Sequence, residues 1–266
     1  MTSLPLRTLL AAALALALGP AHADEAISTD RPDFVESSDV MDAGRVQVEA
    51  GYAIERDRSA GLKSRTRSTP ALLRVGLGHD LEARVETDGF MNARITQAGT
   101  GITSSERGMS DVSLGLKWHQ QDGDEKTSKP STAWLLHVDV DSGTAAFRGQ
   151  GLRPSLRYVA EWELPGDWSV GVMPGVARDT DDSGRHFVAG ILAATASTAI
   201  APHWRGFVEV AGQRLASKSR GGSVVTFDTG LTWTLTPDLQ LDLSLQRGLT
   251  RETPDWAGAV GVSVRF

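Results

Sequence analysis

Apolar and polar residues alternate with a period of two along most of this chain. In LQLDLSLQR, Leu239, Leu241, Leu243 and Leu245 fall on one side and Gln240, Asp242, Ser244 and Gln246 on the other. On a helix those leucines scatter around the axis, whereas on a strand they form one face. The same alternation runs through Val46 to Ile54, Leu81 to Asp88, Val112 to His119 and Trp134 to Asp141. It predicts about twelve strands, at roughly 45–56, 66–77, 81–90, 110–121, 131–141, 152–163, 168–179, 185–199, 203–215, 223–235, 238–247 and 256–266. Each has about the ten residues of a tilted strand that crosses a membrane. The segment 185–199 alternates poorly, and its register is the least defined.

The connections between these segments alternate in length. GHD at 78–80, LPGD at 164–167, APH at 201–203 and TPD at 236–238 are tight, with DGDEKTSKP at 122–130 as a longer exception. RSAGLKS, MNARITQAGTGITSSERG, SGTAAFRGQG, DTDDSG, ASKSRGG and GLTRETPD read as longer loops. Short turns on one rim and long loops on the other are the layout of an outer-membrane barrel, with short turns at the periplasm. Trp118, Trp134, Trp162, Trp168, Trp204 and Trp233 all fall at the short-turn rim, on the apolar parity of their strands. They predict an interfacial aromatic belt, which Phe266 joins from the end of the last strand. A terminal Phe of this parity resembles the signal by which such barrels reach their assembly machinery. A soluble β-sandwich with core tryptophans explains the alternation but not the rim clustering.

The N-terminus supports export. Arg7 precedes an apolar run at Leu9–Leu18, and Ala21-His22-Ala23 reads as a cleavage site, so residues 1–23 are expected to be a signal peptide. The run is too short for a spanning helix, which needs about 20 residues. The net charge is −6, or −7 without residues 1–23, and no basic block suggests nucleic acid. There is no cysteine, hence no disulfide framework. The expected organisation is a signal at 1–23, a polar segment at 24–44 and one barrel domain at 45–266.

TDRPDFVES at 29–37 and GRVQVEAGY at 44–52 resemble the start of the phenol-degradation MetA-pathway family. PALLRVGLGHDLEARVE at 70–86 and GMSDVSLGLKW at 108–118 fit its next strands. The resemblance implies an outer-membrane barrel that passes small, including aromatic, molecules. It carries over no catalytic set.

With the apolar parity facing lipid, the other parity lines the interior. Arg74, Glu82, Arg84, Glu86, His137, Asp139, Arg153 and Arg157 are the wall candidates for solute contact, with Arg31 from the N-terminal segment. These charges either line an aqueous pore or pair into a filled plug. The segment Asp24–Asp42 is either a periplasmic tail or a constriction inside the lumen, with Asp30, Arg31 and Asp33 meeting wall charges. The arginines suit anionic aromatics better than neutral hydrocarbons.

Enzymatic chemistry has thin support. Ser183 and His186 lie near one loop, but no His-x-Ser motif, G-x-S-x-G elbow or phosphate loop is present. His137, Asp139 and Asp141 share a face, yet one histidine with two wall carboxylates is a weak metal set. No metal or cofactor is expected. The reading is a non-enzymatic channel in the outer membrane, with lipid, the barrel assembly machinery and a small solute as partners. A lipid-modifying barrel and a filled structural or binding barrel are the alternatives.

Overall fold

A computed structural model describes residues 26–59, 61–181 and 183–266; the expected signal segment lies outside them. Its strands are β1 (Val46–Ser59), β2 (Leu62–Ser68), β3 (Ala71–Gly78), β4 (Leu81–Thr87), β5 (Phe90–Gln97), β6 (Thr103–Met109), β7 (Val112–Gln121) and β8 (Ser131–Val140). They continue as β9 (Arg153–Leu164), β10 (Trp168–Thr180), β11 (His186–Ala201), β12 (Trp204–Leu215), β13 (Val224–Thr236), β14 (Leu239–Gly248) and β15 (Trp256–Arg265). Twelve of them, β1, β3, β4 and β7 to β15, form one antiparallel ring. The ring closes where β15 pairs with β1, from Gln47↔Arg265 to Arg56↔Trp256. Closure leaves no open edge within the ring, as strands in hydrocarbon require.

The remaining strands are an addition the alternation pattern did not separate from loops. β2, β5 and β6 prolong β3, β4 and β7 beyond the ring and pair in the order β1–β2–β5–β6. RSAGLKS and MNARITQAGTGITSSERG, expected as loops, are therefore mostly strand. Ile95, Thr96 and Thr103 favour extended backbone, and the Thr96 and Thr103 hydroxyls meet across the hairpin at 3.0 Å. The turn between them has left-handed Gly99 and Gly101 (φ 96° and 71°).

The outward face is apolar from rim to rim. Leu73, Val85, Leu114, Leu136, Leu192, Leu243 and Val260 are among its exposed members. Trp118, Trp134, Trp168, Trp233 and Phe266 are exposed on the same face, while Trp162 and Trp204 are half-buried. Trp118 pairs across strands with Trp134, and the Trp204 and Trp233 rings stack at 5.0 Å.

Inside, the wall has two halves. β1, β3, β4 and β7 present buried Gln47, Glu49, Arg74, Glu82, Arg84 and Lys117. Opposite, β8 to β12 contribute Ala133, Leu135, Val159, Met173, Ala193 and Ala211 to one apolar cluster. This explains the poor alternation of 185–199. On β11 the inward residues Phe187, Ala189, Ile191 and Ala193 are buried, while Val188 and Leu192 face outward. Both faces of that strand are apolar, so period two is erased.

Candidate functional site: the lumen and its inner strap

Residues 26–45 enter the barrel, run along its interior and return to the wall at β1. The Ile27 N–H donates to Pro237 O at one rim (2.8 Å), and Gly44 N–H donates to Gly76 O where the strap meets β3 (2.9 Å). The strap has no regular secondary structure, so wall side chains satisfy its backbone donors. Glu49 accepts the N–H groups of Asp30 and Arg31 at 3.1 Å. Glu209 accepts those of Phe34 and Val35 at 2.8 and 2.7 Å. Glu161 accepts Ser38 N–H, and Glu82 accepts Met41 N–H at 3.0 Å.

Charge pairing fixes the strap from its other side. Asp30 meets Arg84 at 2.6 Å and Lys117 at 3.0 Å, and Arg74 lies 3.6 Å away. Arg74 also grips Glu82 with two parallel bonds of 2.9 and 3.0 Å. Glu36 joins Arg84 at 2.7 Å and Arg157 at 2.6 Å. Arg31 reaches Asp242 through Nε at 3.3 Å and a terminal nitrogen at 3.1 Å. The site for Arg31 needs glycine in the wall. Gly51 and Gly261 are cross-strand partners, and a Cβ at Gly51 would come within 2.6 Å of the Arg31 guanidinium. One at Gly261 would collide with Arg31 and Asp242. Val35 completes the fit by entering the apolar cluster, with Phe34 beside it. The Arg157 guanidinium lies over the Phe34 ring at 5.3 Å.

Of the residues singled out from sequence, Arg31, Arg74, Glu82, Arg84 and Arg157 all converge on this network. His137 is buried in the wall against Gly115. Glu86, Asp139 and Arg153 lie further out. Sequence reasoning missed Glu36 and the anchoring pair Phe34-Val35. Two adjacent apolar residues in an otherwise polar segment were the available signal. Near the loop at 181–185, the Ser183 hydroxyl bonds Asp181 and His186 bonds Thr180, so that serine and histidine do not pair.

The strap separates two vestibules. The periplasmic one has a volume of about 740 Å³ and the extracellular one about 670 Å³. A cavity of about 180 Å³ lies between them. It shares Arg31, Pro32 and Asp33 with the periplasmic vestibule, and Glu86, Asp88 and Arg157 with the extracellular one.

Asp111 organises the extracellular mouth from the junction of β6 and β7. It accepts the Gly143 and Gly149 N–H groups at 2.8 Å each and an Arg153 N–H at 2.7 Å. Burial disfavours its charge, but these donors outweigh burial and hold the carboxyl below its ordinary value. Because the folded value is depressed, the tie is fully present above the unfolded value of about 3.9 and is lost as pH falls through the folded one. The loop 141–152 is thus expected to stay tied at pH 5 and above. Asp111→Asn should speed proteolytic cleavage within 142–151 by roughly tenfold at pH 7, as loss of charge-assisted bonds worth about 1.5–3 kcal/mol predicts. Equal cleavage of both proteins would remove Asp111 as the latch.

Solved structures share this architecture at low sequence identity. The COG4313 outer membrane channel of Pseudomonas putida F1 superposes with a TM-score of 0.56 at 14% identity, covering 86% of this chain and 98% of that one. The β domain of the Bordetella autotransporter BrkA gives 0.53 at 15% identity, with 84% and 99% covered. The KdgM porin gives 0.50 at 9%, with 83% and 99% covered. These likenesses establish the outer-membrane barrel fold. No curated protein matches the chain in sequence. A family model does match, across residues 29–266, and its description reads "Putative MetA-pathway of phenol degradation"; the chain is a member of that family.

Proposed function

We propose that this protein is a passive outer-membrane channel for small solutes, with the strap as its constriction. The observation that carries the reading is the series of two vestibules joined through a small cavity, with strap residues bordering that cavity and the periplasmic vestibule. Fold relatives described as an outer membrane channel and a porin support it. A purely structural barrel has no use for two open vestibules meeting at one narrow point.

The lining also suggests which solutes pass. The extracellular vestibule has five carboxylates against three arginines, the middle cavity six against three, and the periplasmic vestibule seven against two. The arginines expected to attract anions are occupied: Arg74 and Arg84 hold the strap, Arg31 is held by Asp242, Arg157 by Glu36 and Arg153 by Asp111. We therefore favour cations and neutral molecules, small aromatics among them, over anions. Arg31 and Arg157 keep one edge on the middle cavity and are our candidates for solute contact there, with Glu86. In planar bilayers under a salt gradient, the reversal potential should have the sign of cation selectivity. A reversal potential of the opposite sign would refute this charge assignment. No conductance and no uptake of small solutes into proteoliposomes would refute the channel itself.

The outward tryptophans and Phe266 suit contact with interfacial lipid. We assign recognition by the assembly machinery to the closing strand β15, on which the outward residues Val260, Val262 and Val264 lead to Phe266.

A further inference from the structure

The strand extension beyond the ring has one face made of cations. Cross-strand pairing aligns Arg56, Arg65 and Arg94 in one row over β1, β2 and β5. Arg58 and Lys63 form the row above, and Arg67 and Arg107 flank Asn92 in the row below. These seven side chains share the outward face, since Arg56 and Arg58 continue the alternation of lipid-facing Val48 and Tyr52. Glu55, Asp57 and Glu106 alternate onto the opposite face. Among the described residues, none of the seven cations makes an ion pair, and the Arg65 Nε is buried without a partner. The lumen is the contrast, for Arg74, Arg84 and Arg157 there are paired with carboxylates.

Like charges placed directly opposite one another on a sheet are destabilising. Three arginines in one row call for an external anion. The height of the row indicates its source. From Val46 to Ile54 the outward face of β1 rises about 21 Å through the bilayer, at about 3.4 Å per residue and a tilt of about 40°. Arg56 follows at the extracellular limit of an apolar band about 25 Å tall, where lipid headgroups begin. Trp256 pairs with Arg56 in the same row, and Arg247 stacks on that indole at 4.8 Å.

We propose that this outward face of β1, β2, β5 and β6 binds the phosphate groups of a phosphorylated glycolipid in the outer leaflet. Arg56, Arg65 and Arg94 form the centre of the site. Guanidinium groups suit it, because each engages a phosphate with two parallel bonds.

The test uses the mature protein in neutral detergent, with bisphosphorylated lipid A as probe. The comparison ligands are the same lipid stripped of its phosphates and inorganic phosphate. Bisphosphorylated lipid A should bind, and its affinity should fall as salt rises. The stripped lipid should bind far more weakly, and inorganic phosphate alone should not compete at equal concentration. Replacing the three central residues together (Arg56→Gln, Arg65→Gln, Arg94→Gln) should weaken binding roughly tenfold to a hundredfold. Lys126→Gln with Lys129→Gln, at the other rim, should leave it unchanged. Equal binding of stripped and phosphorylated lipid by the native protein would overturn the proposal, and that comparison stands even if the triple variant fails to fold. Native affinity in a folded triple variant would overturn it too. Inorganic phosphate competing as well as the lipid would overturn the lipid as the occupant.

Discussion

Deletion of residues 26–42 should raise single-channel conductance roughly threefold or more, because flow through a pore is set by its narrowest section. The strap borders the cavity of about 180 Å³ that joins vestibules of about 740 and 670 Å³. Removing it merges the three spaces. The barrel should survive, since its strands pair with one another and not with the strap. Arg74 and Arg84 keep Glu82 as a partner, and Arg74 also keeps Glu49. The check is a planar-bilayer recording of both proteins, with heat-modified gel mobility showing that the deletion variant is folded. Unchanged conductance in a folded variant would mean that solute takes a path around the strap.

Arg84→Met should lower stability more than other single substitutions in the wall, by about 3–5 kcal/mol, the cost of breaking a buried charge network from one side. Arg84 is buried, and it meets Asp30, Glu36 and Glu82 at 2.6, 2.7 and 2.9 Å. Methionine matches much of its length but leaves three carboxylates short of positive charge. The effect reads out in urea unfolding followed by tryptophan fluorescence. Pairing the change with Glu36→Gln should recover part of the loss, because the two residues are directly coupled. An unshifted urea midpoint for Arg84→Met would mean that Arg74 and Lys117 suffice. A midpoint shift in the double variant equal to the sum of the single shifts would mean that Glu36 and Arg84 act independently.

The two predictions depend on features of different legibility. Wall strands were readable because a barrel in lipid has a simple rule: one parity must be apolar, and the pleat enforces it residue by residue. Leu239 to Leu245 declare their outward face without knowledge of any neighbour. The rule weakens where the interior is apolar as well, as at Ile191 and Ala193, which pack inside near Met173 and Val35. It also fails beyond the bilayer. There Arg56, Arg65 and Arg94 extend the outward face with charge, and no apolar pattern marks β2, β5 and β6 as strands.

The charged residues of the lumen were legible as inward-facing, but their partners were not. Arg31 and Asp242 lie 211 positions apart in the chain and meet only because β14 and β15 return beside β1. Glu36 gave no local sign that it would sit between Arg84 and Arg157. By itself the sequence determined the strand count of the ring, the outward face and the tight turns, because these follow from neighbours along one strand. Only the tertiary structure decided that the strap lies inside, that Arg74, Arg84 and Arg157 are spent on holding it, and that seven cations share one outer face. Those outcomes depend on closure of the ring, which brings together side chains from strands remote in sequence.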